Sequence, residues 1–340
     1  MPSAHASLKV RMVAAILGLV LVTAAFLAGV WAVFYGIFTF LDIVFAAQYA
    51  AGITIITLLA IGYLEYTQLE TIERLADAHP IDEEAAPELY RTTTRVAAQL
   101  DVPVPTIAVS DRDAPEALVV GFRPENMHLV LSLGTIKSVG GANSDELEAV
   151  IAHELAHVAN RDAMVMTVVS LPVVLADGLS SRIAEIEDPG WLAIFTVPLG
   201  FLSAGVLVVG RTITSHLSRA RERAADRAAA EVTGSPAALA NALRRLDREV
   251  AETPTTDLRD VSGVSSLSII PLEPAELEKV MLGPDGDREP AYWELTKRLH
   301  RLERRLFGTH PPTESRLEAL AAQEREHERE RAQRQLQEAE

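Results

Sequence analysis

A mainly α-helical membrane protein with a small β-sheet and about four transmembrane helices is the fold class that this sequence predicts. Three observations lead there. Long stretches carry no charge, short β-branched runs gather between residues 102 and 134, and most of the remainder consists of strong helix formers. Composition agrees: 49% hydrophobic beside 23% charged residues, with a mean hydropathy of +0.15, describe apolar blocks set apart from charged ones.

Met12 to Leu41 contains no charged residue; Asp42 interrupts, and Ile43 to Leu64 is again uncharged. Each run is at least as long as the roughly 20 residues that a spanning helix needs. A cleaved signal peptide is the alternative for the first run, since Lys9 and Arg11 suit its basic start. The apolar part of a signal peptide is only about 7–15 residues, however, and here a second run follows at once. A third run, Ala163 to Ala176, contains Pro172 and stops at Asp177; a fourth, Trp191 to Gly210, contains Pro198. Alone, the third reads as a core helix. Paired with the fourth across a polar turn it reads as a second membrane hairpin, with a soluble hairpin as the alternative.

Basic residues set the orientation. Lys9 and Arg11 precede the first run, and Arg211, Arg219, Arg221 and Arg223 follow the fourth. The N-terminus and both polar blocks are therefore expected on the cytoplasmic side of the cell membrane, which the chain crosses several times. This divides the sequence into two N-terminal spans (1–64), the first part of a polar domain (65–162), a second hairpin (163–210), the second part of that domain (211–320) and a charged tail (321–340).

Within the first polar block, residues 65–78 continue the second run as helix, and Pro87 to Leu100 forms another. "VPVPTIAVSD", "EALVVGF" and "NMHLVLSLG" read as short strands bounded by Pro, Asp, Asn and Gly. Ser144 with Asp145 and Glu146 marks a helix start that runs through His157. In the second block, Thr212 to Glu231 is helical, Gly234 and Pro236 stop it, and Ser235 caps a helix over Ala237 to Ala251. Residues 252–290 read as loop with a possible strand, "SLSII". The tail beyond Arg316 is a solvated charged helix or disordered.

There are no cysteines, which excludes disulfides, thiolate metal sites and a Cys nucleophile; any metal must be held by His, Asp or Glu. The net charge is −16 and the pI about 5.1, which argues against nucleic acid as a partner. Lysine occurs only at Lys9, Lys137, Lys279 and Lys297. So acidic and Lys-poor a chain is compatible with a high-salt cytoplasm, an expectation that activity against KCl concentration tests.

"AVIAHELAHVANRD" carries the chemistry. Successive helical residues turn about 100°, so His153 and His157 fall about 40° apart on one face. Two imidazoles there can hold one Zn²⁺, with Glu154 placed as general base toward a water on the metal. A structural His pair is the alternative. A catalytic zinc usually has three protein ligands and an open position. The third candidate is Glu222 in "SRARERAADRAAAE", with Asp226 one turn on to hold a histidine N–H. An ordinary solvated helix of Glu/Arg pairs explains the same spacing. Asn160 lies about 20° off the face of His153 and is a candidate for touching substrate or a ligand. Arg161 and Asp162 read as helix-end contacts. Arg219, one turn before Glu222, is a candidate for binding substrate or a carboxylate.

"AVIAHELAHVANRDAM", then "SRARERAADRAAAEVTG" beyond the second hairpin, then "THPPTESRLEAL" together resemble the HtpX family of membrane zinc endopeptidases, relatives of the CAAX prenyl proteases. The resemblance covers residues 65–320 and the paired N-terminal spans. It implies a zincin-like (gluzincin) catalytic domain, one Zn²⁺ per chain, His153, His157 and Glu222 as ligands, Glu154 as general base and Asp226 behind a ligand. It places His310 of the third motif near the active site, where it would stabilise an oxyanion; a surface His before a helix capped by Thr313 is the other reading. One departure stands out: Glu116-Ala117-Leu118 occupies the place where the family often has Asn-Ala-Phe, ahead of the edge strand along which zincins bind extended peptide.

The expected activity is zinc-dependent endoproteolysis of damaged or misassembled membrane proteins. The partners are then a protein or peptide substrate and the lipid bilayer. His157 precedes Ala163 by six residues, roughly 9 Å of helix, which sets the zinc near the membrane surface. Competing readings are a CAAX-type prenyl-protein protease and a non-enzymatic membrane scaffold with a structural zinc.

Overall fold

A computed structural model describes residues 2–75, 78–121, 127–252, 269, 298–300, 302–303 and 306–338. In chain order its elements are α1 (Pro2–Phe40), α2 (Ala46–Leu75), β1 (Ala78–Pro80), α3 (Pro87–Leu100), β2 (Thr106–Ser110), β3 (Ala117–Val120) and β4 (His128–Ser132), followed by α4 (Leu133–Ser138), α5 (Asp145–Ala159), α6 (Asp162–Ala184), α7 (Ala193–Thr233), α8 (Pro236–Glu252) and α9 (Thr313–Glu338). They form two compact units, one of Met1–Glu73 with Met164–Leu217, the other of Arg74–Ala163 with Ser218–Glu340.

The first unit is helical. Phe26 and Val30 of α1 pack with Leu175, Ala176 and Leu179 of α6 and with Leu199 and Val206 of α7. The helices approach closely because small residues line the contact: a Cβ on Gly29 would lie 2.8 Å from the Leu202 methyl carbons. Outside this seam the helices turn large apolar side chains outward. Leu21 is 70% exposed and Phe201 78%, which in water is unfavourable and in lipid is not. Among the described residues, Met12–Phe40 and Gly190–Thr233 are long and apolar enough to cross a membrane, and Ala46–Ala60 is a shorter apolar helix. Four spans were expected; two helices meet that standard. The third expected span, α6, runs through Pro172 and on past Asp177 to Ala184, with Asp177 paired to Arg211 at 2.8 Å.

The second unit carries a four-stranded sheet in the order β1-β2-β4-β3. β1 is antiparallel to β2, β2 parallel to β4, and β3 antiparallel to β4, so β3 is an edge. The three expected strands form within the segments that the sequence marked. β1 differs from expectation, because α2 stops at Leu75 and Ala78–Pro80 pairs with Ala108–Ser110. Ala-His-Pro has no strand signature of its own; an edge position tolerates the proline and tertiary pairing imposes the conformation. The short α4 follows β4 directly, its first turn capped by the Ser132 hydroxyl, which accepts from Thr135 N–H at 3.0 Å. Gly134 has no room for a side chain: a Cβ would meet Asp113 O at 2.0 Å. The "SLSII" segment lies outside the described residues except for Ile269.

Helix α5 is nearly all buried, with Leu147, Val150, Ile151 and Leu155 each 0% exposed. It packs between α3, α8 and β3. This burial surrounds the metal-binding candidates with low dielectric and leaves them little freedom to move.

Candidate metal centre

Ser144 starts α5 as expected: its hydroxyl accepts from Leu147 N–H at 3.1 Å, and Asp145 and Glu146 sit in the first turn. The helix then carries His153, Glu154 and His157. His153 is 0% exposed, Glu154 2%, and the His157 side chain 18%. From α7, Glu222 reaches the same point. One ligand atom from each of His153, His157 and Glu222 lies within 4.8 Å of the others.

The two Nε2 atoms are 3.3 Å apart. Glu222 Oε1 is 3.4 Å from His157 Nε2, and Oε2 is 3.6 Å from His153 Nε2. Ligand atoms about 2.0–2.1 Å from one ion at tetrahedral angles lie about 3.3–3.4 Å from each other. The Nε2–Nε2 distance has that spacing, and Glu222 brings one of its two oxygens to a similar distance from each ring, so the three side chains could close on a zinc-sized ion. Glu154 Oε1 and Glu222 Oε2 are buried without a hydrogen-bond partner, an arrangement that favours a cation and water among them.

Both imidazoles turn Nε2 inward and have Nδ1 beside a carboxylate, the orientation that fixes the tautomer needed for metal binding. His157 Nδ1 is 2.6 Å from Asp162 Oδ2, and His153 Nδ1 is 3.0 Å from Asp226 Oδ1, with the ring N–H off the line of a good hydrogen bond. Asp162 was read from sequence as a helix-end contact. It does begin α6, but a left-handed Arg161 (φ 55°) folds the chain back so that its carboxylate meets His157. Arg221 Nε stands 2.9 Å from the same oxygen.

Behind Asp226 is Arg316, to which the sequence reading assigned no role. It is 1% exposed and grips Asp226 with two bonds, Nε to Oδ2 at 2.9 Å and Nη2 to Oδ1 at 2.6 Å. Its Nη1 donates to Ile269 O at 2.6 Å and lies 3.9 Å from Glu222 Oε2. The clue in the sequence was a lone Arg amid "THPPTESRLEAL", indistinguishable there from the surface arginines around it.

His310 is brought to the centre: its side chain is 4% exposed and Nδ1 lies 3.4 Å from Glu222 Oε2. Thr313, read as a possible cap, bonds Asp247 Oδ1 at 3.2 Å. Arg219 donates to Gly308 O at 2.7 Å and so holds the turn leading to His310. Asn160 ends α5 as its C-cap, and Asp162, two residues on, is the group that reaches His157. Glu116 is buried at the start of β3, its carboxylate 3.2 Å from Arg112, its N–H donating to Ser132 Oγ and its carbonyl accepting from Ser132 N–H and Thr135 Oγ1.

The electrostatics follow from burial and charge. Burial opposes a charged His153, but Asp226 and Glu222 outweigh it and raise the ring to about 9 in the metal-free protein. Burial raises Glu154 to about 8, helped by the charge of Glu222 and opposed by His153, Arg316 and the Val119 N–H. Burial also acts against ionised Asp226 and Glu222. Arg316 and His153 nonetheless bring Asp226 down to about 2, while His310, His153 and His157 hold Glu222 well below the usual carboxylate range.

The profile of Peptidase family M48 matches residues 83–324, well over half of the chain and the whole of this constellation. The chain belongs to peptidase family M48. Among curated M48-like relatives, Protease HtpX homolog 1 of Streptomyces coelicolor is 36% identical over 247 residues, which is 71% of this chain and 72% of that protein. Protease HtpX homolog 2 of Methanosarcina acetivorans is 35% identical over 204 residues, 57% of this chain and 66% of that one. Of solved structures, S. mikatae Ste24p is similar at a TM-score of 0.43 and 17% identity, over 84% of this chain and 60% of that one. The matched region of this M48 chain contains both histidines, Glu154, Glu222 and the third motif with His310 and Arg316.

Proposed function

We propose that this M48 peptidase is a zinc-dependent membrane endopeptidase that cleaves cytosolic segments of damaged or misassembled membrane proteins. The observation that carries the reading is the grouped set of His153, His157 and Glu222, with Glu154 beside it presenting a buried Oε1 that has no hydrogen-bond partner. Three ligands leave a coordination position open, as catalytic sites do and closed structural sites do not, which favours an enzyme over a scaffold. The two helices long and apolar enough to cross a membrane, and the arginines flanking the apolar runs, support a multi-pass protein with the site on the cytoplasmic side.

His153, His157 and Glu222 would hold one Zn²⁺, which supplies Lewis acidity to the substrate carbonyl and to a water. Glu154, whose Oε1 is buried without a hydrogen-bond partner, takes a proton from the attacking water. The same carboxyl then delivers that proton to the departing amine. His310 stands beside Glu222, within reach of charge developing on the carbonyl oxygen, and donates a hydrogen bond to it. Arg219 keeps the His310 turn in place. Asp226 and Asp162 hold the two rings against rotation.

Purified protein with one zinc per chain should cleave casein, and a chelator should abolish the cleavage. Glu154→Gln should retain the zinc and lose about 10²–10⁴-fold in rate. Full cleavage by that variant removes Glu154 as the base. Cleavage of a farnesylated peptide but not of unfolded protein selects the prenyl-protein protease instead.

A further inference from the structure

The segment that leads into His310 has a chemistry of its own. Residues 297–307 read "KRLHRLERRLF", in which Lys297, Arg298, Arg301, Arg304 and Arg305 stand against a single acid, Glu303. The chain as a whole carries a net charge of −16, so this is a basic island in an acidic protein. At about 100° per helical residue, the sequence sets Leu299, Leu302 and Leu306 within about 60° of one another and gathers the five basic positions within about 120° on the other side. That is the pattern of a basic amphipathic helix.

The described residues of the segment, 298–300, 302–303 and 306–307, are helical. Their leucines do not face the interior: Leu299 is 56% exposed, Leu302 52% and Leu306 41%. In the same unit α8 does the opposite and buries Leu239, Leu243 and Leu246 completely. The C-terminal end of the segment is fixed. Arg219 donates to Gly308 O at 2.7 Å, and His310, just beyond, has its Nδ1 3.4 Å from Glu222 Oε2.

A row of exposed leucines is unfavourable in water. At a bilayer interface it is favourable: the apolar side sinks about 5–10 Å into the headgroup and acyl boundary, and arginines at its border reach the phosphates. The chain has two helices long and apolar enough to cross a membrane, so a lipid surface is present at high effective concentration. The basic positions select an anionic surface. We propose that Leu299, Leu302 and Leu306 insert into an anionic bilayer surface, so that lipid contact bears on the turn that carries His310. The proposal rests on the membrane reading above.

The chain has no cysteine, so a single introduced one takes a fluorophore uniquely. The full-length Glu154→Gln protein is placed in nanodiscs of mixed phosphatidylcholine and phosphatidylglycerol, or of phosphatidylcholine alone, with a nitroxide near the top of the acyl chains as quencher. Leu302→Cys reports on the segment, and Leu21→Cys, at a position 70% exposed on α1, reports on membrane insertion. Fluorescence at position 302 should fall at least about twofold in the mixed discs and distinctly less in the neutral ones. Leu299→Glu in the same chain, at an exposed position where Tm should not change, should reverse most of that fall. Quenching at position 21 without quenching at 302 would overturn the docking and leave the membrane reading standing; no quenching at either would overturn both. Equal quenching at 302 in the two kinds of disc would overturn the anionic assignment. A change at 302 that appears only when two copies share a disc, without nitroxide quenching, assigns the leucines to a second copy of the chain and overturns the docking as well. Because lipid contact is read in a Glu154→Gln protein, the outcome does not depend on the peptidase reading.

Discussion

Arg316→Ala removes a guanidinium that is 1% exposed and leaves three acceptors without their donor: both Asp226 oxygens and Ile269 O. Breaking a buried, hydrogen-bonded ion pair by deleting one member costs about 3–5 kcal/mol. For a chain of 340 residues, with about 2 cal/mol/K of unfolding entropy per residue, that is a fall in Tm of roughly 4–7 °C. The second effect is on the metal. Asp226 sits 3.0 Å from His153 Nδ1, and loss of such a support behind a ligand lowers metal affinity about 10–100-fold. Arg316→Lys separates the two effects. Lysine keeps the charge but cannot present the fork that spans both oxygens, so stability should recover more than zinc affinity. The assays are thermal unfolding of the metal-free protein and zinc competition against a chromogenic chelator. Wild-type zinc affinity in Arg316→Ala would refute the chain of support from Arg316 through Asp226 to His153.

Glu222→Ala should lose zinc while α5 stays folded; full occupancy by elemental analysis removes Glu222 from the ligand set. Asp162→Asn should weaken zinc binding about 10–100-fold, because His157 loses its charged partner at 2.6 Å, and an unchanged chelator titration counts against that role. Zinc binding should release about one proton at pH 7, since metal-free His153 is raised to about 9 and must lose its proton to bind. Affinity should therefore climb as pH rises toward about 9; calorimetry in buffers of different ionisation enthalpy measures the proton directly. Linkage gives the metal-free protein a matching signature. The His153 contribution to stability is complete below the ordinary histidine range and fades as pH rises through about 9; the Asp226 contribution is complete above the ordinary aspartate range and fades as pH falls toward about 2.

How much of this was legible in the sequence depends on the distance over which each feature is determined. The helix bearing His153, Glu154 and His157 is specified locally, by a Ser144 cap, an acidic first turn and a four-residue repeat of imidazoles, so spacing alone put both rings on one face. Spacing leaves Glu222 open between ligand and solvated glutamate, and the likeness of the three motifs selects the ligand. Nothing within its own helix distinguishes it from Glu231. β1 was missed because Ala-His-Pro becomes a strand only through pairing with β2.

Arg316 and Asp162 were illegible for a different reason. Arg316 meets Asp226 across 90 residues of chain, and Asp162 meets His157 only because the backbone turns back at Arg161 with positive φ. In sequence both are charged residues at helix starts in a chain where such residues are common, and periodicity assigns them to solvent. Burial decides otherwise. In low dielectric a carboxylate behind each imidazole is strongly directional, and a buried carboxylate needs its own countercharge. Once His153 and His157 are buried as ligands with Nε2 inward, a partner at each Nδ1 is required, and Asp226, itself buried, requires Arg316 in turn. The ligand pattern shows where the centre is; the desolvation of its members determines the residues behind it, and those can be read only after the fold has shown which side chains share the interior.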